Sequence, residues 1–524
     1  MDTDVLIVGA GPTGLMLANQ LGRRNVRVRI IDRHAAPSRE TRALGVQART
    51  LEIYSKLGIV DRALELGTRG TGANLWSGGR KMARVPLGDA GSGVSPYPFI
   101  LVLGQDDNER IMGERLRAWG LSVEWNTELL GLEQQPGHVA VALKSPDGTT
   151  GRITAGWVAG CDGAHSSVRE LNGIRFPGAP YEHVFFVADV QVTGNMVPGE
   201  VNVYLLRSGF HLLFPMRGQD HWRIVGILPE ALRAREDVKF EAVIPSVRDA
   251  LGSSLAFKAC DWFSTYRIHH RCASRFRDRR CFLLGDAAHI HSPVGAQGMN
   301  TGLQDAYNLA WKLALVVQDQ ADEALLESYE NERLPLAQQL LNTTDRAFRL
   351  VVSDNWLLGC LRTQILARLG AFALGIEPLQ RAAFRTISQT GIHYRNSALS
   401  QYLERPPNRA PQAGDRFPWL KLKLHAGGPV EDLFQGLDDT RFNLLAIGQS
   451  WPHGGSEPVG DLLRSYVLPD DPLNAAELAR ARIPRPAFYL IRPDGYVGLC
   501  GSRLDTTAMK RYFASRVSLS RAIR

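Results

Sequence analysis

Cysteine is scarce: Cys161, Cys260, Cys272, Cys281, Cys360 and Cys500 are the only six in 524 residues, and none falls in C-x-x-C or zinc-like spacing. That excludes a disulfide scaffold, predicts no metal site and fits reduced thiols acting as small apolar side chains in the cytoplasm. Long apolar runs are lacking too, and no stretch reaches the length of a membrane span. The first apolar run follows Asp2 and Asp4 without a basic flank or a small-residue cleavage site, so it does not read as a secretory leader. The net charge is +8, yet Lys and Arg are scattered among acidic residues. No nucleic-acid footprint results, and an anionic cofactor or substrate is the better use for the excess. Internal repeats and low-complexity tracts are absent. What remains is an ordinary globular composition, 44% hydrophobic and 22% charged, long enough for two or three domains in a monomer or homodimer.

The chain opens with the continuous apolar run Val5–Val8, then glycines, then the helical pattern Leu15, Leu17, Ala18, Leu21. A second run, Val26–Ile31, ends at Asp32 and completes a βαβ unit of the size used for dinucleotides. Short β-rich runs at Val184–Val192, Val201–Leu206 and Trp222–Leu228 predict an inserted antiparallel sheet. Strand-like Cys281–Leu284 then leads into a helix carrying Leu303, Ala306, Leu309, Ala310 and Leu313, so the cofactor domain is expected to be discontinuous. Residues 325–395 read as mostly helical, and the Pro-rich stretch Arg405–Pro411 reads as a linker. Beyond it, Phe442–Ile447 and Phe488–Ile491 look like strands, with a turn at Arg492-Pro493-Asp494-Gly495. The expected boundaries are 1–180 and 276–400 for the two parts of the cofactor-binding domain, 181–275 for the inserted sheet and 401–524 for the C-terminal domain.

Gly9-Ala10-Gly11-Pro12-Thr13-Gly14 fits G-x-G-x-x-G. Gly9 permits the turn, Gly11 lets backbone approach a pyrophosphate and Gly14 lets helix pack on strand. The pyrophosphate then meets a helix N-terminus, where exposed N–H groups favour an anion. Strand before, helix after and Asp32 at the next strand end make the motif specific, with Asp32 accepting ribose hydroxyls in preference to being a solvated strand-end carboxylate. The reversed cluster Gly88–Gly93 lacks this frame and reads as a loop. A second array, Asp162-Gly163-Ala164-His165-Ser166-Ser167-Val168-Arg169, reads on physical grounds as a capped helix start. A third, Gly285-Asp286-Ala287-Ala288-His289, follows a strand, and Pro293 with the Gly295–Gly298 loop opens another helix whose N-terminus could stabilise negative charge.

These arrays, with Thr41-Arg42-Ala43, Arg49–Glu52, Gly298–Gly302 and Gln304–Leu309, resemble the single-component FAD-dependent aromatic hydroxylases over essentially the whole chain. The nearest likeness is to the phenol hydroxylase and polyketide hydroxylase branch with a C-terminal thioredoxin-like domain. The resemblance implies an α/β fold: a discontinuous Rossmann-like FAD-binding domain of the p-hydroxybenzoate hydroxylase type, an inserted antiparallel-sheet substrate domain and that C-terminal domain. It implies that Gly9, Gly11, Gly14, Asp32 and Arg33 hold the ADP half of FAD with Leu129 near the adenine, and that Asp286 binds the ribityl chain. Arg42 and Gln105 would approach FAD, Asp162 and Arg169 would serve FAD and NAD(P)H, and Pro293, Gly298, Met299 and Asn300 would line the isoalloxazine. The implied cycle takes NADH or NADPH as a transient cosubstrate, then O2, and hydroxylates a phenolic or polycyclic aromatic substrate through a flavin C4a-hydroperoxide.

Two departures stand out. Phenol hydroxylase carries an acidic residue just after the Arg-Ala pair, whereas Leu44 follows Ala43 here, and Val294 and Ala296 stand where many relatives carry Pro and Gly. Besides Arg42, Tyr204 or His211 on the expected substrate sheet is a candidate to take over from the missing base, although packing is the plainer role for either one singly. The C-terminal domain lacks C-x-x-C, which argues against disulfide exchange. A non-oxygenating FAD reductase and a non-catalytic flavin-based redox sensor are the alternatives.

Overall fold

The computed structural model describes the chain except residues 38–42, 207–208, 234, 236, 252–254, 291–296, 353–375, 451–458 and 521–524. Val5, Leu6 and Ile7 are fully buried, as befits a strand covered on both faces. Thr3–Val8 is the centre of a parallel array in the order Cys281–Leu283, Thr150–Gly160, Thr3–Val8, Val28–Ile31, Val123–Glu124. The strand Cys281–Leu283, which follows the inserted sheet in sequence, therefore completes the opening sheet, so the cofactor domain is discontinuous. The first helix, Pro12–Gly22, packs against the long helix Gly298–Val317. On the latter Leu303, Ala306, Leu309, Ala310 and Leu313 are all buried, at the spacing seen in the sequence.

The second sheet runs His289–Ile290, Ala256–Cys272, Gly178–Thr193, His221–Ile227, Gly209–Pro215, Val201–Leu206, Gly72–Ser77, Arg80–Pro86. Its last two strands come from inside the first 180 residues, a contribution the sequence reading did not assign to this sheet. They were hard to read because alternate buried positions are filled by Gly72, Asn74 and Trp76. Asn74 Nδ2 donates to Glu200 at 2.9 Å and Trp76 Nε1 to Asn202 at 3.0 Å, so a buried face looks polar in sequence. One face of this sheet, carrying Trp76, Phe186, Tyr204, Leu213 and Ile224, is covered by the helix Phe240–Leu251 through Phe240, Val243, Val247 and Leu251. The other face carries Tyr181, Phe185, Phe210 and Ile227.

The C-terminal unit holds a mixed five-stranded sheet, ordered Gln401–Tyr402, Val497–Gly501, Ala487–Ile491, Phe442–Ile447, Leu463–Leu468. It is not packed as a separate body: Phe442, Leu444, Phe488 and Leu490 belong to the same apolar core as the cofactor domain, with Trp311 edge-on to Phe442 at 5.6 Å. The Pro-rich stretch is more than a tether, since Gln412 Nε2 donates to the carbonyls of Pro407 and Ala410, both at 3.0 Å. Among the described residues no helix is long and apolar enough to cross a membrane.

Candidate cofactor site

Each glycine of the first turn answers a different steric demand. Gly9 has φ +101°, and a Cβ there would stand 2.3 Å from the Cys161 carbonyl oxygen. At Gly14 a Cβ would stand 2.0 Å from the Gly9 oxygen. Gly11 is the opposite case, with no heavy atom within 4 Å of where its Cβ would be. No protein atom requires glycine at that position, and the bare backbone there lines an open cavity that a ligand could approach closely. The first helix starts at once, with Pro12 in its first turn and no side chain capping it, so its leading N–H groups are left for an anion.

Asp32 accepts from the Ala10 N–H at 2.8 Å through Oδ2 and from the His34 N–H at 2.8 Å through Oδ1, which fixes the carboxylate over the glycine turn. His34 Nδ1 also lies 2.8 Å from Oδ1, so with about two lone-pair sites on each oxygen it is Oδ2 that can still accept from a ribose. A cavity of about 230 Å³ opens here, lined by Gly9, Gly11, Asp32, Arg33, Gln105, Leu129 and Asp162. Trp125, Glu128 and His165 line it as well. Sequence reasoning did not assign those three, and only the fold brings the 125–129 segment to the glycine turn.

The second array is a capped helix start, Ser167–Leu171. Ser166 Oγ accepts from the Arg169 N–H at 3.0 Å and Asp162 Oδ2 from the Val168 N–H at 3.1 Å. Asp162 Oδ1 is buried with no hydrogen-bond partner among the described residues, and burial raises this carboxyl above its ordinary range. Arg169 is buried away from the cavity lining. Its guanidinium donates to the Ala164 carbonyl at 2.9 Å and the Ala287 carbonyl at 3.1 Å, and lies 4.0 Å from the Phe176 ring centre. It ties the second array to the third.

In the third array Gly285 has φ +58°, and its N–H donates to Asp305 Oδ2 at 3.0 Å. Asp286 is exposed on that turn. Thr13 Oγ1 touches this region from the first array: a Cβ on Gly285 or Gly302 would come within 2.6 or 2.4 Å of it. Thr13 thus brings the first array against the third and against the start of the long helix. Gly298, Met299 and Asn300 form the first turn of the long helix, which has no side-chain cap. The Asn300 side chain points inward, accepting from the Gln47 N–H at 2.9 Å and Thr50 Oγ1 at 2.7 Å and donating to the Gly45 carbonyl at 2.7 Å. It anchors the segment that follows Leu44. Arg42 and Pro293 lie outside the described residues.

Tyr204 and His211 face one another across antiparallel strands, on the sheet face covered by the helix Phe240–Leu251. Tyr204 stacks on Trp76 at 5.5 Å, and burial pushes its hydroxyl up to about 12. His211 lies 5.6 Å from the Phe186 ring, and burial pushes it down to about 4. Both side chains are packed among aromatic rings, and His211 Nδ1 is buried without a hydrogen-bond partner among the described residues.

An uncapped helix start, an empty approach at Gly11 and an unpartnered buried carboxylate oxygen fit a dinucleotide such as FAD. The chain matches the FAD binding domain family over residues 2–344. It is 34% identical to 6-methylpretetramide 4-monooxygenase of Streptomyces rimosus, over 96% of this chain and 92% of that protein. It is 32% identical to pentachlorophenol 4-monooxygenase of Sphingobium chlorophenolicum, over 88% of this chain and 83% of that one. Its fold superposes on the ternary complex of aklavinone-11 hydroxylase with FAD and aklavinone with a TM-score of 0.78, at 25% identity and 99% coverage of both chains. The chain therefore belongs to the FAD binding domain family and is an FAD-dependent monooxygenase of the aromatic hydroxylase type.

Proposed function

We propose that this enzyme hydroxylates a polycyclic phenol of the aromatic polyketide kind, with NADH or NADPH as reductant. The observation that carries the cofactor half is the open Gly11 approach above a cavity lined by the residues that the sequence had singled out. The substrate half is supported by relatives named for pretetramide and pentachlorophenol oxidation, and by the likeness to a hydroxylase bound to aklavinone.

When bound, FAD supplies the redox chemistry, taking a hydride from NAD(P)H and passing oxygen to the ring. The chain's own part is to bind and orient. Gly9, Gly11 and Gly14 with the first helix N-terminus would take the pyrophosphate, Asp32 the adenosine ribose and Leu129 the adenine edge. Asp286 would take the ribityl hydroxyls, and the uncapped first turn at Gly298–Asn300 would face the ring system with partial positive charge. The aromatic face of the second sheet, with Phe185 6.0 Å from Tyr266 and 6.3 Å from Phe210, has the chemistry to receive a flat ring and exclude water from it. Its strand Ala256–Cys272 pairs with His289–Ile290, directly after the Gly285–Ala287 turn, which carries that sheet to the cofactor. With Leu44 in place of an acid, and with His211 and Tyr204 in packed positions, an electron-rich phenol that ionises readily is the substrate chemistry this site favours.

The test is a panel of mono- and polycyclic phenols offered to the FAD-loaded enzyme, following NADH and NADPH oxidation together with product mass. Stimulated oxidation with a product one oxygen atom heavier for a polycyclic phenol is the expected result. Oxidation that yields only peroxide across the panel would overturn the substrate reading.

A further inference from the structure

The turn Arg492-Pro493-Asp494-Gly495 of the C-terminal unit is inserted into the cofactor domain. Arg49 donates to the Asp494 carbonyl at 2.6 Å, Tyr307 Oη to the Pro493 carbonyl at 3.2 Å and Trp311 Nε1 to Asp494 Oδ2 at 3.2 Å. At its base the Arg492 guanidinium makes two parallel bonds to Glu332, 2.6 Å to Oε1 and 2.9 Å to Oε2, with both side chains wholly buried. Glu332 also receives Lys312 Nζ at 2.8 Å, Asn308 Nδ2 at 2.7 Å and Ser397 Oγ at 2.6 Å.

The next residue on the same helix, Glu327–Val352, is Arg333, which is equally buried and reaches the other way. Its Nε donates to Asp305 Oδ1 at 2.6 Å, and its other nitrogens donate to the Thr301 carbonyl at 3.1 Å and Tyr394 Oη at 2.8 Å. The free side of Asp305, Oδ2, holds the Gly285 N–H at 3.0 Å and lies 2.7 Å from His289 Nε2. Two buried charge clusters, joined through the consecutive residues Glu332 and Arg333, thus lead from the C-terminal turn to the Gly285–Ala287 turn and to the first turn of the helix Gly298–Val317.

We propose that Arg492 is a positioning residue for the flavin site, acting through Glu332, Arg333 and Asp305 on the backbone that presents Asp286 and Gly298–Asn300 to the cofactor. Stability alone does not call for these charges, because a buried ion pair replaced by well-packed apolar side chains is often no less stable. Direction does call for them: a bidentate guanidinium–carboxylate pair fixes angle as well as distance. The element held is one that needs fixing, since Gly285 sits at φ +58° with Thr13 against it. The C-terminal unit, none of whose described residues lines the cavity, becomes part of the cofactor site's scaffold by this route. The inference rests on the FAD reading above.

The test uses full-length enzyme with Arg492→Met, Arg492→Lys and Asp305→Asn, assayed well below each variant's melting temperature. The readouts are the FAD dissociation constant, the visible spectrum and reduction potential of the bound flavin, and product formed per NAD(P)H. Expected are FAD binding weakened about tenfold and a lowered product yield in Arg492→Met, partial rescue by Lys, and non-additivity of Arg492→Lys with Asp305→Asn. A lowered melting temperature with unchanged affinity, spectrum, potential and yield overturns the proposal, as do strictly additive effects on FAD affinity. Should Arg492→Met not fold, the Lys variant and the double-variant cycle decide by the same readouts. Failure of the wild type to bind FAD would instead sink the FAD reading.

Discussion

At the scale of single residues, Gly11 and Gly14 make opposite predictions although they share one motif. A side chain at position 11 meets no protein atom, so Gly11→Val should keep its melting temperature and lose FAD, with affinity down at least about a hundredfold, or about 3 kcal/mol. Gly14→Ala drives a Cβ into the Gly9 carbonyl and should lower the melting temperature itself. Thermal denaturation of the apo-proteins beside flavin titration separates the two, and a yellow, flavin-loaded Gly11→Val would contradict the site. Asp286→Ala should weaken FAD retention by about tenfold through loss of a charged acceptor, read as flavin content after gel filtration. Content equal to the wild type would remove Asp286 from the site.

His211 gives a pH prediction. Burial lowers its pKa from 6.5 to about 4, so between those values the unfolded chain binds a proton that the folded chain does not. Stability from this source is present above about pH 6.5 and lost as pH falls towards 4, up to about 3 kcal/mol in all. His211→Leu should therefore narrow the gap between urea midpoints at pH 7 and pH 5. An unchanged gap would show that the imidazole finds a proton-stabilising partner in the fold.

At the scale of elements, the structure explains which parts of the sequence were readable. The opening βαβ unit was legible because its apolar runs are continuous and Gly9 and Gly14 face backbone walls that no side chain could share. Phe442–Ile447 was legible because all six residues are buried. The hairpin Gly72–Pro86 was not, since Asn74 and Gly72 fill inward positions and its partner Val201–Leu206 lies over a hundred residues downstream. Asn300 shows the same limit at the site: its place in the motif was plain, but its side chain binds Gly45, Gln47 and Thr50 of a distant segment. Asn300→Ala leaves those buried groups unpaired and should cost at least about 2 kcal/mol in urea unfolding. A cost near zero would mean water replaces the amide. Asp305 was quoted within a recognised stretch yet given no task, because nothing in sequence indicates that Arg333 and Gly285 flank it.

At the scale of the whole molecule, the Pro-rich stretch suggested a chain that could be divided near residue 400. The packing says otherwise, with Arg492 paired to Glu332 in the interior and Phe442 and Phe513 in the main core. A fragment of residues 1–400 would leave Glu332 and Trp311 without their C-terminal partners Arg492 and Asp494 and should be insoluble or colourless. A soluble, fully flavin-loaded fragment would show the C-terminal unit to be dispensable.

The central claim is that separated glycine turns and carboxylates close around one FAD so that oxygen from O2 enters an aromatic guest. Mass analysis of the product formed by the FAD-loaded enzyme under oxygen-18 gas, with NAD(P)H and a polycyclic phenol, tests it most directly. The account predicts one heavy oxygen atom in each product molecule. Product oxygen drawn from water, or a flavin that is reduced and reoxidised without altering any phenol, would contradict it.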